Sequence, residues 1–508
     1  MSERLLLHLI SLWQAPDYST IIHMLTLAVT GVVLASLLVT YLTNPFARFS
    51  IIRLPYRAKL QEKILETVNN NQKLVIRQNI FWKLFAYYQC GIYIITTRYL
   101  NSPRSGGATV DEIIADIHKL RYNPNRLLLI SGDHFNGLFV RNLGVFYYPM
   151  LDRSLPGTLD DWHSREAVYL QTVAYTLGVF HKHPKLTTTI VSMGPYAATC
   201  INFYAYPSDA LFGILYALAS LRGDESTQPY AYKKARRQLD TVDAAKTLLT
   251  TYSHTLETLY AGYREHVFDG NTHLIKKTVH LSGAKDITRR YSAFYDNVVF
   301  WKTTQLAMTL GIIPNDKSFL ASLKQAILDT FWLEDEGYFL EDLSEEGVRE
   351  QYYSSDWLIV LSTGFLDITN KQERRYYTRS VGYVQAQKID QPFAIKYQND
   401  TRAHRQFFIV RMAVASYGGD AIWSFWGMEY IKTLTLLAHQ TGDTSYATSA
   451  KYHLDAYEAT MLRDGGFPET YDAKGNLLKT PFYQSIRQTG WVIGFEQARA
   501  MYQALIES

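Results

Sequence analysis

Apolar residues recur at helical spacing along most of this 508-residue chain, and alternation of period two is scarce. The helical period predicts helices over residues 110–120, 161–180, 209–221, 231–263, 296–310 and 317–331. It predicts further helices over 356–366, 402–417, 423–440, 446–461 and 484–506. Many of these open near Asp, Ser, Thr or Pro, as helix N-termini do. Only 127–131 and 187–192 read as short strands or extended loop segments. The segments 269–286 and 388–401 are the most loop-like, and no Gly/Ser-rich linker divides the chain.

One stretch breaks the amphipathic pattern. Residues 21–42, IIHMLTLAVTGVVLASLLVTYL, carry no formal charge, and His23 is the only residue among them of a type that titrates near neutral pH. At about 1.5 Å per residue such a helix spans a hydrocarbon core of roughly 30 Å, which predicts a single-pass membrane anchor in contact with the lipid bilayer. Arg48, Arg53, Arg57, Lys59 and Lys63 follow it against Glu62, so the positive-inside rule places the large domain in the cytoplasm. Residues 81–100 are also apolar but are interrupted by Lys83, Gln89 and Arg98; they read as an amphipathic helix against the domain or the bilayer surface. The expected layout is a short tail (1–20), a transmembrane helix (21–42), juxtamembrane and leading helices (43–124) and one helical domain (125–508). No internal repeat of the solenoid kind is visible, so the all-α fold expected is a closed ring of helical hairpins, with a plain bundle as the alternative.

Composition narrows the function only a little. The 51 basic and 47 acidic side chains leave a net charge of +4 without a clustered basic face, which argues against nucleic acid as a partner. Aromatics make up 14% of the chain, which permits a carbohydrate cleft without requiring one. Cys90 and Cys200 form no disulfide framework and sit in no metal-ligand spacing, so the sequence calls for no metal and no cofactor. Nothing in it sets the oligomeric state.

Several segments place acids beside aromatics at presumed helix starts. Asp133 and His134 precede Asn136 and Arg141, as a helix cap with a stray histidine or as a hydroxyl-binding pair. Trp162 follows Asp160 and Asp161 at a helix mouth, either stacking on a ligand or stapling the helix to its neighbour. Asp296 and Asn297 open an apolar run that also contains Trp301; a simple N-cap is the competing reading of Asp296. Asp356 and Trp357 open another run, and Trp423 and Trp426 sit on the first turn of a third. Glu469 lies in DGGFPETYDAKGN, where Gly-Gly and Pro enforce an irregular loop, as a solvated carboxylate or a presented one. Glycoside hydrolysis needs two carboxyl groups flanking the anomeric carbon, one to protonate the leaving oxygen and one to activate water.

Taken in order, these segments resemble the six-hairpin glycosidases of the (α/α)6 toroid fold, over about residues 125–505. The nearest likeness is to the inverting processing α-glucosidases, the mannosylglycerate hydrolases and the glucoamylase-like enzymes. YDNVVFW (295–301) is similar to an Asp-Asn-Ser-Pro-Arg type segment whose first Asp is the general acid, with Val298 and Val299 in place of Ser-Pro. FWLEDEGYFLED resembles a Trp-x-x-x-x-Gly-x-Tyr/Phe segment, and AIWSFWGMEYI an aromatic segment that opens a late inner helix. GGFPETYDAKGN is similar to a Gly-Gly-x-x-Glu-x-Tyr-Asp segment that carries the base. The resemblance implies an inverting glycoside hydrolase acting on an α-glucoside-like substrate, with Asp296 as acid and Glu469 as base. It implies a sugar-binding surface from Asp133, His134, Trp162, Asn297, Trp301, Asp356, Trp357, Trp423 and Trp426. The alternatives are a sugar-binding or scaffold protein on the same fold, or an epimerase or phosphorylase. An epimerase calls for paired histidines, whereas His134, His163, His404 and His453 are scattered, and no phosphate pocket is legible.

Overall fold

The computed structural model describes residues 60–87, 104–121, 137–145, 159–192, 196–202, 206–224, 239–399 apart from 282 and 286, and 405–506, together with Gly31. The chain divides into residues 1–50 and 51–508. The segment 21–42, read above as a membrane span, lies outside the described residues except for Gly31, which is helical. Among the described residues no helix is long and apolar enough to cross a membrane.

The second unit is mostly helical, as the periodicity predicts. Its main helices in chain order are α1 (Leu60–Asn71), α2 (80–87), α3 (Val110–Arg121), α4 (Leu159–Lys182), α5 (Ala210–Arg222), α6 (Leu239–Val267) and α7 (Phe294–Thr309). They continue with α8 (Lys317–Phe331), α9 (Ile359–Thr363), α10 (Lys371–Ala386), α11 (Ser424–Thr441), α12 (Thr444–Asp464) and α13 (Val492–Ile506). Two burial patterns separate them. In α5, α7 and α11 nearly every side chain is buried, on all faces of the helix, as expected of helices enclosed by others. In α8 burial is confined to Leu323, Ile327 and Phe331, one stripe at i, i+4 and i+8. In α10 it is confined to Tyr377, Ser380, Val381 and Val384. Such stripes belong to helices that cover a core from outside.

Packing follows the same division. The enclosed helices contact one another in succession, α4 with α5, α5 with α7, α7 with α9, α9 with α11, and α11 with α13. The covering helices α6, α8 and α12 lie against α5, α7 and α11 respectively. Sharp termini make this back-and-forth path possible. The Asn370 side chain accepts hydrogen bonds from the amides of Gln372 and Glu373 at the start of α10. Gly442 and Gly465 end α11 and α12 in the left-handed region, at φ +72° and +62°, where other residues are strained.

The helical prediction needs five corrections. Of the described residues within 402–417, only Phe408–Val414 are α-helical; 405–407 hold a 3-10 residue and a bridge, and 415–417 are a turn. Residues 356–366 form a 3-10 turn (Ser355–Leu358) and the short α9 instead of one helix. Residues 484–491 form no helix but bridges, a bend and a turn, and α13 starts only at Val492; the Ser485 amide and the Ile486 carbonyl bond to Leu478 and Glu469 across a loop. Helix α10 went unpredicted because its apolar stripe is so thin. Finally, a four-stranded sheet joins β1 (Val75–Ile76), β2 (Gly137–Phe139), β3 (Thr189–Ser192) and β4 (Ala197–Ile201) in the order β1-β4-β3-β2. Strand β1 runs parallel to β4 and the other pairs are antiparallel. The prediction over 187–192 falls on β3, while 127–131 lies outside the described residues.

Candidate active site

The starts of the enclosed helices meet at one end. Ser208, just before α5, donates through Oγ to Asp296 Oδ1 in the first turn of α7 at 2.5 Å. Tyr295 donates to Asp209, the N-cap residue of α5, at 3.2 Å. Arg290, on the approach to α7, pairs with Asp356 in the 3-10 turn that leads into α9 at 2.6 Å. Tyr397 donates to Asp356 at 3.4 Å and packs on Trp423, the residue that opens α11, with ring centroids 5.1 Å apart. Trp423 in turn lies 6.1 Å from Trp491, next to the start of α13. Three enclosed helices thus present a carboxylate at or near their positive ends, where the backbone dipoles favour negative charge.

Asp296 is not an N-cap. The cap position is Ala293, and Asp296 stands in the first turn with its carboxyl turned to Ser208. It is 1% exposed. Gly283 lies against it so closely that a Cβ there would sit 2.5 Å from Asp296 Oδ1. Arg141 holds that glycine from the other side, donating to its carbonyl, and approaches Asp209 at 3.5 Å.

The charge balance singles out Asp296. Asp209, Asp296, Glu341, Asp342 and Asp356 gather here with Arg141, Lys285, Arg290 and Arg405, five acids against four cations. Glu341 takes Lys285 at 2.8 Å, Arg405 at 2.8 Å and Gln398 at 2.9 Å. Burial raises its proton affinity, but Lys285, Arg405 and Arg290 outweigh burial and hold its carboxyl at about 2. Asp342 has Arg405 at 2.6 Å. Asp296, in contrast, has no cation within 4 Å among the described residues. Burial pushes its pKa up, against the pull of Arg290 and the Ser208 hydrogen bond and with the help of the Asp356 charge. Arg290 has spare capacity beside it: Nη1 is paired with Asp356, while the buried Nε and Nη2 find no hydrogen-bond partner among the described residues.

Glu469 enters from the far side of α11. Its carbonyl accepts from the Ser424 amide and Oγ, at 3.1 and 3.0 Å, in the first turn of that helix. The next two residues form β6 (Thr470–Tyr471), which pairs with β5 (Ile422–Trp423) in the register Thr470↔Trp423. Tyr483 donates to Glu469 Oε2 at 3.3 Å. The loop is therefore not the open, wet one its glycines imply: Glu469 is 7% exposed, and the Asp472 carboxylate folds the turn that follows by accepting from the Lys474 and Asn476 amides. A chain of ring contacts links the two: Tyr483, which donates to Glu469, packs on Tyr417 and Tyr417 on Trp423; Trp423 packs on Tyr397, and Tyr397 and Tyr295 both pack on Trp426.

Of the residues singled out from sequence, the structure brings Asp296, Asp356, Trp423, Trp426 and Glu469 to this end. Asn297 is beside them, its Oδ1 accepting from the Ile275 amide and its Nδ2 donating to Ser292 Oγ and the Ala293 carbonyl. Trp301 lies farther along α7, donating to the Leu320 carbonyl and packing on Phe365 between α7 and α8. Trp357 donates through Nε1 to the Tyr353 hydroxyl and packs on Tyr377 of α10. Asp133 and His134 lie outside the described residues, as does the side chain of Trp162, whose backbone belongs to α4. The helix expected after Asp133 is instead β2 and a 3-10 turn, Val140–Leu143.

The unpredicted members are Ser208, Asp209, Gly283, Arg290, Tyr397, Tyr483 and the Lys285–Glu341–Arg405 cluster. One signal was available: Ser-Asp stands before an apolar run at both 208–209 and 355–356. The cations carry no joint signal, since Arg141, the Lys285–Arg290 stretch and Arg405 stand more than 100 residues apart in sequence. Among the described residues no group of His, Cys, Asp or Glu side chains is arranged to hold a metal ion.

No protein-family model and no curated protein matches the sequence. Among solved structures, the chain is similar to a rhamnosidase from Klebsiella oxytoca with rhamnose bound, at 12% identity and a TM-score of 0.46, over 79% of this chain and 65% of that one. It is similar to a glucoamylase from Saccharomycopsis fibuligera, at 11% identity and a TM-score of 0.49, over 80% and 98% of the two chains. It is also similar to a sugar epimerase from a ruminal bacterium, at 10% identity and a TM-score of 0.48, over 79% and 97%. The chain thus spans less than two thirds of the rhamnosidase's length.

Proposed function

We propose that this chain is a carbohydrate-active enzyme, a glycoside hydrolase whose helices close into a six-hairpin toroid and whose residues 21–42 anchor it in a membrane. Asp296 is the general acid and Glu469 the general base. The observation that carries this reading is the state of Asp296, a buried carboxyl with raised proton affinity and no cation in contact among the described residues. A general acid must hold its proton near neutral pH while its partner stays ionised. The adjoining Arg290 Nε and Nη2 groups, without a partner among the described residues, suit a hydroxyl-rich ligand, which offers them oxygens. Inversion requires water to attack opposite the leaving group, which calls for the two carboxyls to stand about 6.5–9.5 Å apart.

The test is turnover of a panel of α- and β-linked glycosides by the purified chain and by its Asp296→Asn and Glu469→Gln variants. Hydrolysis, α-glucosides foremost, with losses of about 10²–10⁴-fold in each variant, supports the reading. Saccharide binding without turnover favours a sugar-binding protein. Dependence on inorganic phosphate indicates phosphorolysis, and interconversion without cleavage an epimerase.

A further inference from the structure

Helix α2 is turned the wrong way round for a water-soluble surface. Its inward side carries Ala86, which forms a small buried cluster with Val191 of β3 and Ile201 of β4. At about 100° per residue, Ile80, Leu84 and Phe81 fall together on the opposite side, and they are 72%, 60% and 64% exposed. Strand β1, at the edge of the sheet, adds Val75 at 53%. Folding has left the larger apolar face outside and buried an alanine, although Asn79 accepts from the Trp82 amide and so starts the helix in register. A face this apolar needs a partner.

The charges around it say which kind. Between Glu66 and Asp111 the sequence has Lys73, Arg77, Lys83, Arg98 and Arg104 and no Asp or Glu at all. Lys73 and Arg77 are exposed beside the patch and Lys83 is half-buried on α2 itself. Arg77 lies over the Trp82 ring at 5.1 Å, and Lys73 over the exposed ring of Tyr196 at 5.6 Å. Tyr87, the last described residue of the helix, has its hydroxyl on the Asn202 carbonyl. Apolar tips ringed by Trp, Tyr and unopposed cations match the layers of a bilayer surface, acyl chains beneath interfacial aromatics beneath anionic headgroups.

We propose that α2 and the β1 edge form a membrane-docking surface for an anionic lipid leaflet, with Ile80, Phe81 and Leu84 entering the acyl boundary and Lys73, Arg77 and Lys83 meeting the headgroups. The surface belongs to the large unit itself, and it holds whether or not residues 21–42 span the bilayer.

An environment-sensitive fluorophore at Leu84→Cys tests this in the full-length chain. Cys90→Ser removes one competing thiol; Cys200 is buried, which pushes its thiol up to about 12 and keeps it unreactive. The same fluorophore at Tyr452→Cys, an exposed position on α12, is the control for tethering alone. In phosphatidylcholine vesicles containing phosphatidylglycerol, the Leu84 probe is expected to shift to the blue and to be quenched several-fold more by spin-labelled lipid than the Tyr452 probe. Removing phosphatidylglycerol, or combining Lys73→Glu, Arg77→Glu and Lys83→Glu, reverses both effects. A Leu84 probe that stays open to iodide in vesicles overturns the proposal. So does one that shifts to the blue without lipid quenching, because its cover is then protein.

Discussion

Replacing Glu341 with Gln removes the anion that three buried cations share. The carboxylate has no solvent exposure and takes Lys285 and Arg405 at 2.8 Å each, with Arg290 at 3.9 Å. Its pKa lies at about 2 instead of 4.5. That lowering makes the ionised form worth about 3 kcal/mol to the folded state, at the low end of the cost of breaking a buried ion pair. The sign follows from the direction of the shift. Because the folded value is depressed, the contribution is complete above 4.5 and is lost as pH falls toward 2. Urea unfolding of wild type and Glu341→Gln, followed by circular dichroism, should therefore differ by about 3 kcal/mol at pH 7 and by about half that at pH 3. A difference below about 1 kcal/mol at pH 7, or one that does not change with pH, refutes the ion-cluster reasoning.

Three further outcomes are expected. Gly283→Ala puts a methyl 2.5 Å from Asp296 Oδ1 and 3.0 Å from the Tyr295 ring; thermal melts should show a loss of about 1–3 kcal/mol, with turnover reduced in surviving protein. The pH profile of kcat/KM should fall on its alkaline side with the raised pKa of Asp296, since the acid must be protonated; a profile flat above neutrality argues for a different acid. Asn370→Ala removes the cap of α10 and should cost about 1 kcal/mol in urea titrations while leaving turnover unchanged.

The parts of this molecule that were legible in sequence are those where one physical effect dominates locally. Helices α7, α8, α11 and α12 show apolar periods long enough to override ambiguity, and their predicted and observed limits agree to within a few residues. Helix α10 was invisible because Tyr377, Val381 and Val384 make too thin a stripe to stand out among its charges. The 3-10 turn before α9 was hidden because a run such as WLIVL reads as helix whichever way its backbone turns. At the candidate site, Asp296, Asp356 and Glu469 announced themselves as acids among aromatics. Their environments did not, because burial, Gly283 and the Arg290 pairing are set by tertiary contacts across segments up to 142 residues apart. Trp301 and Trp357 show the converse, aromatics near an acid in sequence that turn toward covering helices.

The division of roles between Asp296 and Glu469 is tested most directly by how turnover depends on the leaving group. Aryl and alkyl glycosides of one sugar are compared in wild type, Asp296→Asn and Glu469→Gln. A leaving group that departs as a stable anion needs no acid. Asp296→Asn should therefore keep near-wild-type turnover on a dinitrophenyl glycoside and lose about 10²–10⁴-fold on an alkyl glycoside, while Glu469→Gln loses turnover on both. Equal losses for Asp296→Asn on the two substrates, full activity of Asp296→Asn on the alkyl glycoside, or full activity of Glu469→Gln on either substrate would contradict the assignment.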